Sequence, residues 1–137
     1  HCPRSHGWFG HARFDYERLV KAGLNICLGT DSLASAGGDG ETVVLDMFAE
    51  MQEFSRNHPN LMSEDILQMA TANGAAAMRL ENELGQIKDG FMANMTMIPF
   101  DGTLSEVPEM ILQHRGPVEM LMIAGRRAFS KVGSIVG

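Results

Sequence analysis

The apolar positions change period along the chain, and the change with most consequence falls between residues 24 and 31. Leu24, Ile26 and Leu28 alternate with Asn25 and Cys27, which predicts a buried strand of about five residues. Gly29 lets the backbone turn at its end. Asp31 then stands just beyond the strand's carboxyl end, where parallel α/β sheets carry their chemistry. An Asp there can bind a divalent metal, act as a base, or cap the next turn. Upstream, residues 15–21 (DYERLVK) predict a short helix with Gly23 just past its end. Helix, glycine, strand and Asp make one step of an alternating α/β architecture.

Downstream, the period becomes helical. Val43, Val44, Met47, Phe48, Met51 and Phe54 recur at three and four and predict an amphipathic helix over 42–57. Asp46, Glu50 and Glu53 are read as its solvated face. His58-Pro59-Asn60 ends it. Ser63 is expected to cap a second helix, with Glu64 and Asp65 in the first turn and Ile66, Leu67, Met69 and Ala70 on the core side. Residues 71–74 break that helix, a small-residue helix is expected over 75–80, and residues 81–90 are turn-like. Beyond residue 90, Met95 to Ile98 predicts a short strand closed by Pro99, and 106–113 a helix. The run 118–123 predicts a second strand, which Ala124-Gly125 can turn into a hairpin with 126–129.

Two stretches carry candidate chemistry without clear periodicity. Residues 1–11 (HCPRSHGWFGH) read as a loop with three His, Arg4 and two aromatics. His6 and His11 miss the i, i+4 spacing of helical metal ligands, so substrate contact suits them better than ligation. The glycines of residues 37–40 lack the lysine and hydroxyl of a phosphate-binding loop and read as a flexible connection.

With 45% hydrophobic and 20% charged residues in 137, the chain can bury a core. Its formal charge of −6 argues against nucleic acid or an anionic membrane as main partner. Cys2 and Cys27 make no metal-binding spacing, and a reduced thiol is expected. No apolar run reaches about 18 residues, and a cytoplasmic location is expected. The chain opens at His1-Cys2-Pro3, which reads as the tail of something longer.

Four stretches in order, HCPRSH, AGLNICLGTDSLAS, DILQMATANGAAAM and LGQIKDGFMANMTMI, resemble the C-terminal part of the metal-dependent amidohydrolases. The branch they resemble holds chlorohydrolases, guanine deaminases and adenosylhomocysteine deaminases. The resemblance implies an α/β fold: the C-terminal part of a (β/α)8 barrel, with strand seven ending at residues 1–3 and strand eight at 25–31. It also implies the C-terminal share of a small β-sandwich, with the barrel segment over 1–83 and the sandwich segment over 84–137. Asp31 matches the family's strand-eight aspartate, a metal ligand that also takes a proton from the attacking water. Arg4, Ser5 and His6 match the loop lining the substrate pocket, and Ser32 follows the aspartate as in relatives.

The implied activity is hydrolysis or deamination at a C–N bond of a heterocycle such as a purine, with zinc or iron in the parent protein. A small-molecule substrate and a homo-oligomeric parent go with it. The family's paired HxH, its further His ligands and its catalytic Glu are not in this sequence, and a barrel takes about 200 residues or more. The chain alone is therefore expected to be inactive and to bind no metal. A non-catalytic scaffold subunit of the same fold is the alternative. Asn94 departs from the family's usual Asp before its strand, with a modest local effect expected.

Overall fold

The computed structural model describes residues 1–35 and 44–130. Six α-helices and three strands are assigned there: α1 Pro3–Trp8, α2 Tyr16–Lys21, α3 Met47–Asn57, α4 Ser63–Ala70, α5 Ala72–Ala77, β1 Met95–Met97, α6 Val107–Gln113, β2 Met120–Ile123 and β3 Arg126–Ser130. The glycine-rich run 37–40 and residues 42–43 of the expected 42–57 helix lie outside the described residues; residues 44–46 are not helical, and the helix begins at Met47 because Asp46 caps it. Within them, no helix is long and apolar enough to cross a membrane.

The first departure from expectation is at the start. Residues 3–8 form a helix rather than a loop. Pro3 occupies the first turn, where its missing N–H costs nothing and its fixed φ suits the helix. The preceding Cys2 is extended, as a residue before proline should be. The second departure is the expected strand: residues 24–28 are assigned to none. They are nonetheless tied in parallel fashion to the first residue. The His1 amine donates to the Cys27 carbonyl at 2.8 Å, and the Gly29 N–H donates to the His1 carbonyl at 2.9 Å. Residue 1 thus bonds to two positions flanking residue 28, the slanted pattern of a parallel pair.

The core lies between the helices. Leu28, Met51, Phe54, Ile66, Met69 and Leu112 form one buried cluster, with Phe14, Tyr16 and Ile26 packed against it. Helix α3 is capped by the Asp46 side chain, which accepts the Phe48 N–H at 2.9 Å. Its inward stripe is Met47, Glu50, Met51, Phe54 and His58, the spacing of one helical face. Glu50 is therefore not on a solvated face: its exposure is 0%. The Ser63 cap is likewise corrected. Met62 is the cap residue of α4 and makes no side-chain cap bond, while the Ser63 hydroxyl donates to Glu109 on α6. Helix α5 begins at Ala72, so the break after α4 is the single residue Thr71.

Helix α6 packs on α3 and α4 and brings Leu112 into the core. The three strands make one antiparallel sheet in the order β1-β2-β3. Met95 pairs with Met122, and Ile123 with Arg126. The expected hairpin is present. Its turn residues Ala124 and Gly125 both take positive φ, 49° and 76°, as a two-residue primed turn requires. Asn94 Oδ1 accepts the Ala124 N–H at 2.7 Å and steadies that turn, so the residue serves a local structural role.

Phe54 is fully enclosed, with the His58 ring 4.4 Å away and the Tyr16 ring 5.6 Å away. Phe54→Ala is expected to lower stability by about 3–5 kcal/mol, measured by chemical denaturation. His58 titrates below the ordinary imidazole value, chiefly through burial and then through the nearby Arg13 cation, with Glu17 opposing. The folded state keeps the ring neutral while the unfolded chain protonates it sooner. Its contribution is therefore complete above the ordinary value of 6.5 and lost as pH falls through the lowered one. A thermal midpoint that drops below that pH, and drops less in His58→Gln, is the expected result.

Candidate functional site

Asp31 follows the extended segment with φ 54°, a left-handed backbone that Asp tolerates better than most residues because its short side chain bonds locally. Two hydroxyls donate to that side chain. Ser5 Oγ donates to Asp31 Oδ2 at 2.6 Å, and Ser35 Oγ donates to the same oxygen at 2.9 Å. Both serines are buried, while Asp31 itself is exposed. Ser5 is delivered by the inner side of α1. Ser35 is delivered by a 3-10 turn over Leu33–Ser35, closed by its N–H donating to the Ser32 carbonyl at 3.1 Å.

The electrostatic result is direct. The Ser5 hydroxyl, and after it the Ser35 hydroxyl, hold the Asp31 carboxyl below the usual carboxylate range, with burial slightly opposing. Among the described residues Oδ1 accepts no hydrogen bond. One oxygen is committed and the other is open, the condition of a carboxylate prepared to bind a cation or accept a proton through a single atom.

The other sequence-expected residues gather around this acid unequally. Ser32 is exposed, its hydroxyl 3.4 Å from that of Ser35. Arg4 and His6 sit on α1 beside Ser5 but are tied elsewhere. The Arg4 N–H donates to Glu50 Oε2 at 2.9 Å, and its guanidinium donates to the Val44 carbonyl at 3.1 Å. His6 Nε2 donates to the Ala12 carbonyl at 2.7 Å. His6 also belongs to a run of rings: His1 lies edge-on to it at 4.9 Å and stacks on Phe14 at 3.9 Å.

Sequence reasoning missed Ser35 and Glu50. Ser35 lies four residues after Asp31, within reach if the intervening chain coils. Glu50 sits at helical spacing between Met47, Met51 and Phe54, and that spacing already puts it on the apolar face.

The donor set also bears on a metal. No group of three or more His, Cys, Asp or Glu able to hold an ion occurs among the described residues. Asp31 fits one position of a coordination set, and the described residues do not complete it.

Residues 1–128 match the amidohydrolase family. Over 105 residues the chain is 36% identical to the 5-methylthioadenosine/S-adenosylhomocysteine deaminase of Pyrococcus furiosus, covering 72% of this chain and 23% of that protein. Among solved structures, an adenosine deaminase from Xanthomonas campestris with bound zinc superposes with a TM-score of 0.81. It is 24% identical, over 96% of this chain and 31% of that one. Helicobacter pylori aminofutalosine deaminase superposes with a TM-score of 0.75 at 30% identity, over 93% of this chain and 31% of that one. That enzyme has also been solved in complex with methylthio-coformycin. The chain thus spans between 23% and 31% of the length of these relatives.

Removing either hydroxyl from Asp31 should let its carboxyl titrate higher, because the charged form loses a donor. Ser5→Ala is expected to give the larger rise and Ser35→Ala the smaller. Titration of the Asp31 carboxyl carbon by NMR reads both.

Proposed function

The chain belongs to the amidohydrolase family, and from that premise we propose that it supplies the strand-eight share of the active site of a metal-dependent aminohydrolase. The substrate class proposed is an adenine-type ring carrying an exocyclic amine. The deaminases of 5-methylthioadenosine, adenosine and aminofutalosine among its relatives support that class. Residues 1–83 would belong to the barrel and 84–137 to the smaller β domain.

The observation that carries the reading is Asp31: a carboxylate just beyond an extended segment, with Oδ2 held by two buried serines and Oδ1 accepting no hydrogen bond among the described residues. Asp31 would serve as one ligand of zinc or iron, the remaining donors coming from outside these residues. A bound divalent metal supplies the acidity that makes water a nucleophile near neutral pH. The chain's own contribution is proton handling at Oδ1. A carboxylate kept ionised by two hydroxyls can take the proton released by the attacking water and pass it to the departing nitrogen. Ser5 and Ser35 occupy Oδ2, which would leave Oδ1 as the oxygen available to a cation or to a proton. Arg4, His6 and Ser32 would line the substrate pocket around it, with the imidazole and Phe14 rings offering a flat surface to a heteroaromatic ring.

A scaffold subunit would have no use for an acid so arranged. The described residues alone supply a single donor, so turnover is proposed for the longer enzyme and not for this chain in isolation. In that enzyme, loaded with its metal, Asp31→Asn is expected to lower kcat for 5-methylthioadenosine by about 100-fold or more and to lower the bound metal content. The spectral change from aminopurine to oxopurine follows the reaction. Near-normal kcat in the variant would remove Asp31 from the role of proton acceptor.

A further inference from the structure

We propose that Glu50 is a positioning residue: from α3 it caps the first turn of α1 and so fixes Ser5 against Asp31. The need arises in α1 itself. Cys2, at the cap position, makes no side-chain cap bond, and Pro3 brings no N–H. The first amide that must find an acceptor is that of Arg4. Glu50 Oε2 supplies it at 2.9 Å, from 46 residues away in sequence. The next residue is Ser5, whose hydroxyl reaches Asp31 Oδ2 at 2.6 Å. Carboxylate, amide, hydroxyl and carboxylate therefore form one connected path from the core helix to the site.

The choice of residue supports this role. Glu50 is wholly buried, and burial raises its proton affinity against the opposing influence of the Arg4 amide and guanidinium. Among the described residues its Oε1 has no hydrogen-bond partner, and the Arg4 guanidinium is 4.0 Å from it. A well-packed apolar side chain would serve stability at least as well, since desolvating a carboxylate is costly and an incomplete ion pair repays little. What an apolar residue cannot do is accept the Arg4 N–H. A charged acceptor binds that amide more strongly than a neutral one and with tighter geometry. The acid is thus explained by placement rather than by adhesion.

The effect on α1 stands by itself, while the effect on turnover rests on the reading of Asp31 above. The test uses the metal-loaded full-length enzyme with Glu50→Gln, Glu50→Ala and Glu50→Leu. Amide hydrogen exchange is read by segment, and kcat and KM are measured with 5-methylthioadenosine. Glu50→Leu and Glu50→Ala are expected to speed exchange in residues 4–8 while α3 and α4 keep their protection. They should also lower kcat by about 100-fold, the scale of a displacement near 1 Å, with KM changed far less. Glu50→Gln, whose amide oxygen can still accept the Arg4 N–H, should restore protection of 4–8 and recover most of kcat.

Equal loss of protection across α1, α3 and α4 in Glu50→Leu would overturn the proposal in favour of a plain core role. So would a Glu50→Leu enzyme with native exchange over 4–8. Native kcat alongside selectively loosened 4–8 would uphold the cap and break its link to chemistry. If the parent enzyme turns over no aminopurine, that failure belongs to the functional assignment, and exchange over residues 4–8 still decides the cap.

Discussion

Two backbone hydrogen bonds, between residue 1 and the pair Cys27 and Gly29, hold the site together. Ser5 and Asp31 are 26 residues apart, and nothing in either local sequence makes them meet. Their contact follows once the first residue is zipped alongside the end of the segment that carries Asp31. The helix started by Pro3 then leaves from a defined point and in a defined direction, and its third residue falls against the carboxylate. A parallel pair needs a long connection, and here α2 and its flanking turns provide it.

The local elements were largely legible because each carries its own signal. Asp15 caps α2 by accepting the Arg18 N–H, and the apolar spacing of Met47, Met51 and Phe54 marks α3. The hairpin was legible from Ala124-Gly125, two residues able to take the turn between short apolar runs. The failures share a cause. The glycines and imidazoles of residues 1–11 suggest a loop, yet Pro3 opens a helix over 3–8 whose missing cap is supplied by Glu50, a partner no local window contains. Residues 24–28 have the pattern of a strand but, among the described residues, find a parallel ladder partner only in residue 1. Periodicity reports which face is buried; it does not report who is opposite. The Asp31 position was legible from strand, glycine and acid in succession. Its serine partners were not, because hydroxyls carry no period and Ser35 reaches back only through a 3-10 turn.

Helix α3 links core and site through polar groups in its inward stripe. Met51 and Phe54 contribute apolar burial of the ordinary kind, roughly 1.5–3 kcal/mol per large side chain. Glu50 and His58 share that face and cost some of this gain in desolvation. His58 recovers part of it by lying against Phe54 and Tyr16, with its ring kept neutral. Glu50 recovers part through the Arg4 amide. The face is apolar where it meets α4 and α6 and acidic where it meets α1.

The backbone at residue 31 sets how this region can diversify. Among side chains in the left-handed region, short polar ones are favoured, which suits aspartate and asparagine better than the longer glutamate. The acid's reach is therefore fixed in length by the main chain that bears it. What remains adjustable is the pair of hydroxyl-bearing neighbours, one on a helix and one on a tight turn. New chemical preferences in such a scaffold would be acquired by exchanging those neighbours while the aspartate stays still.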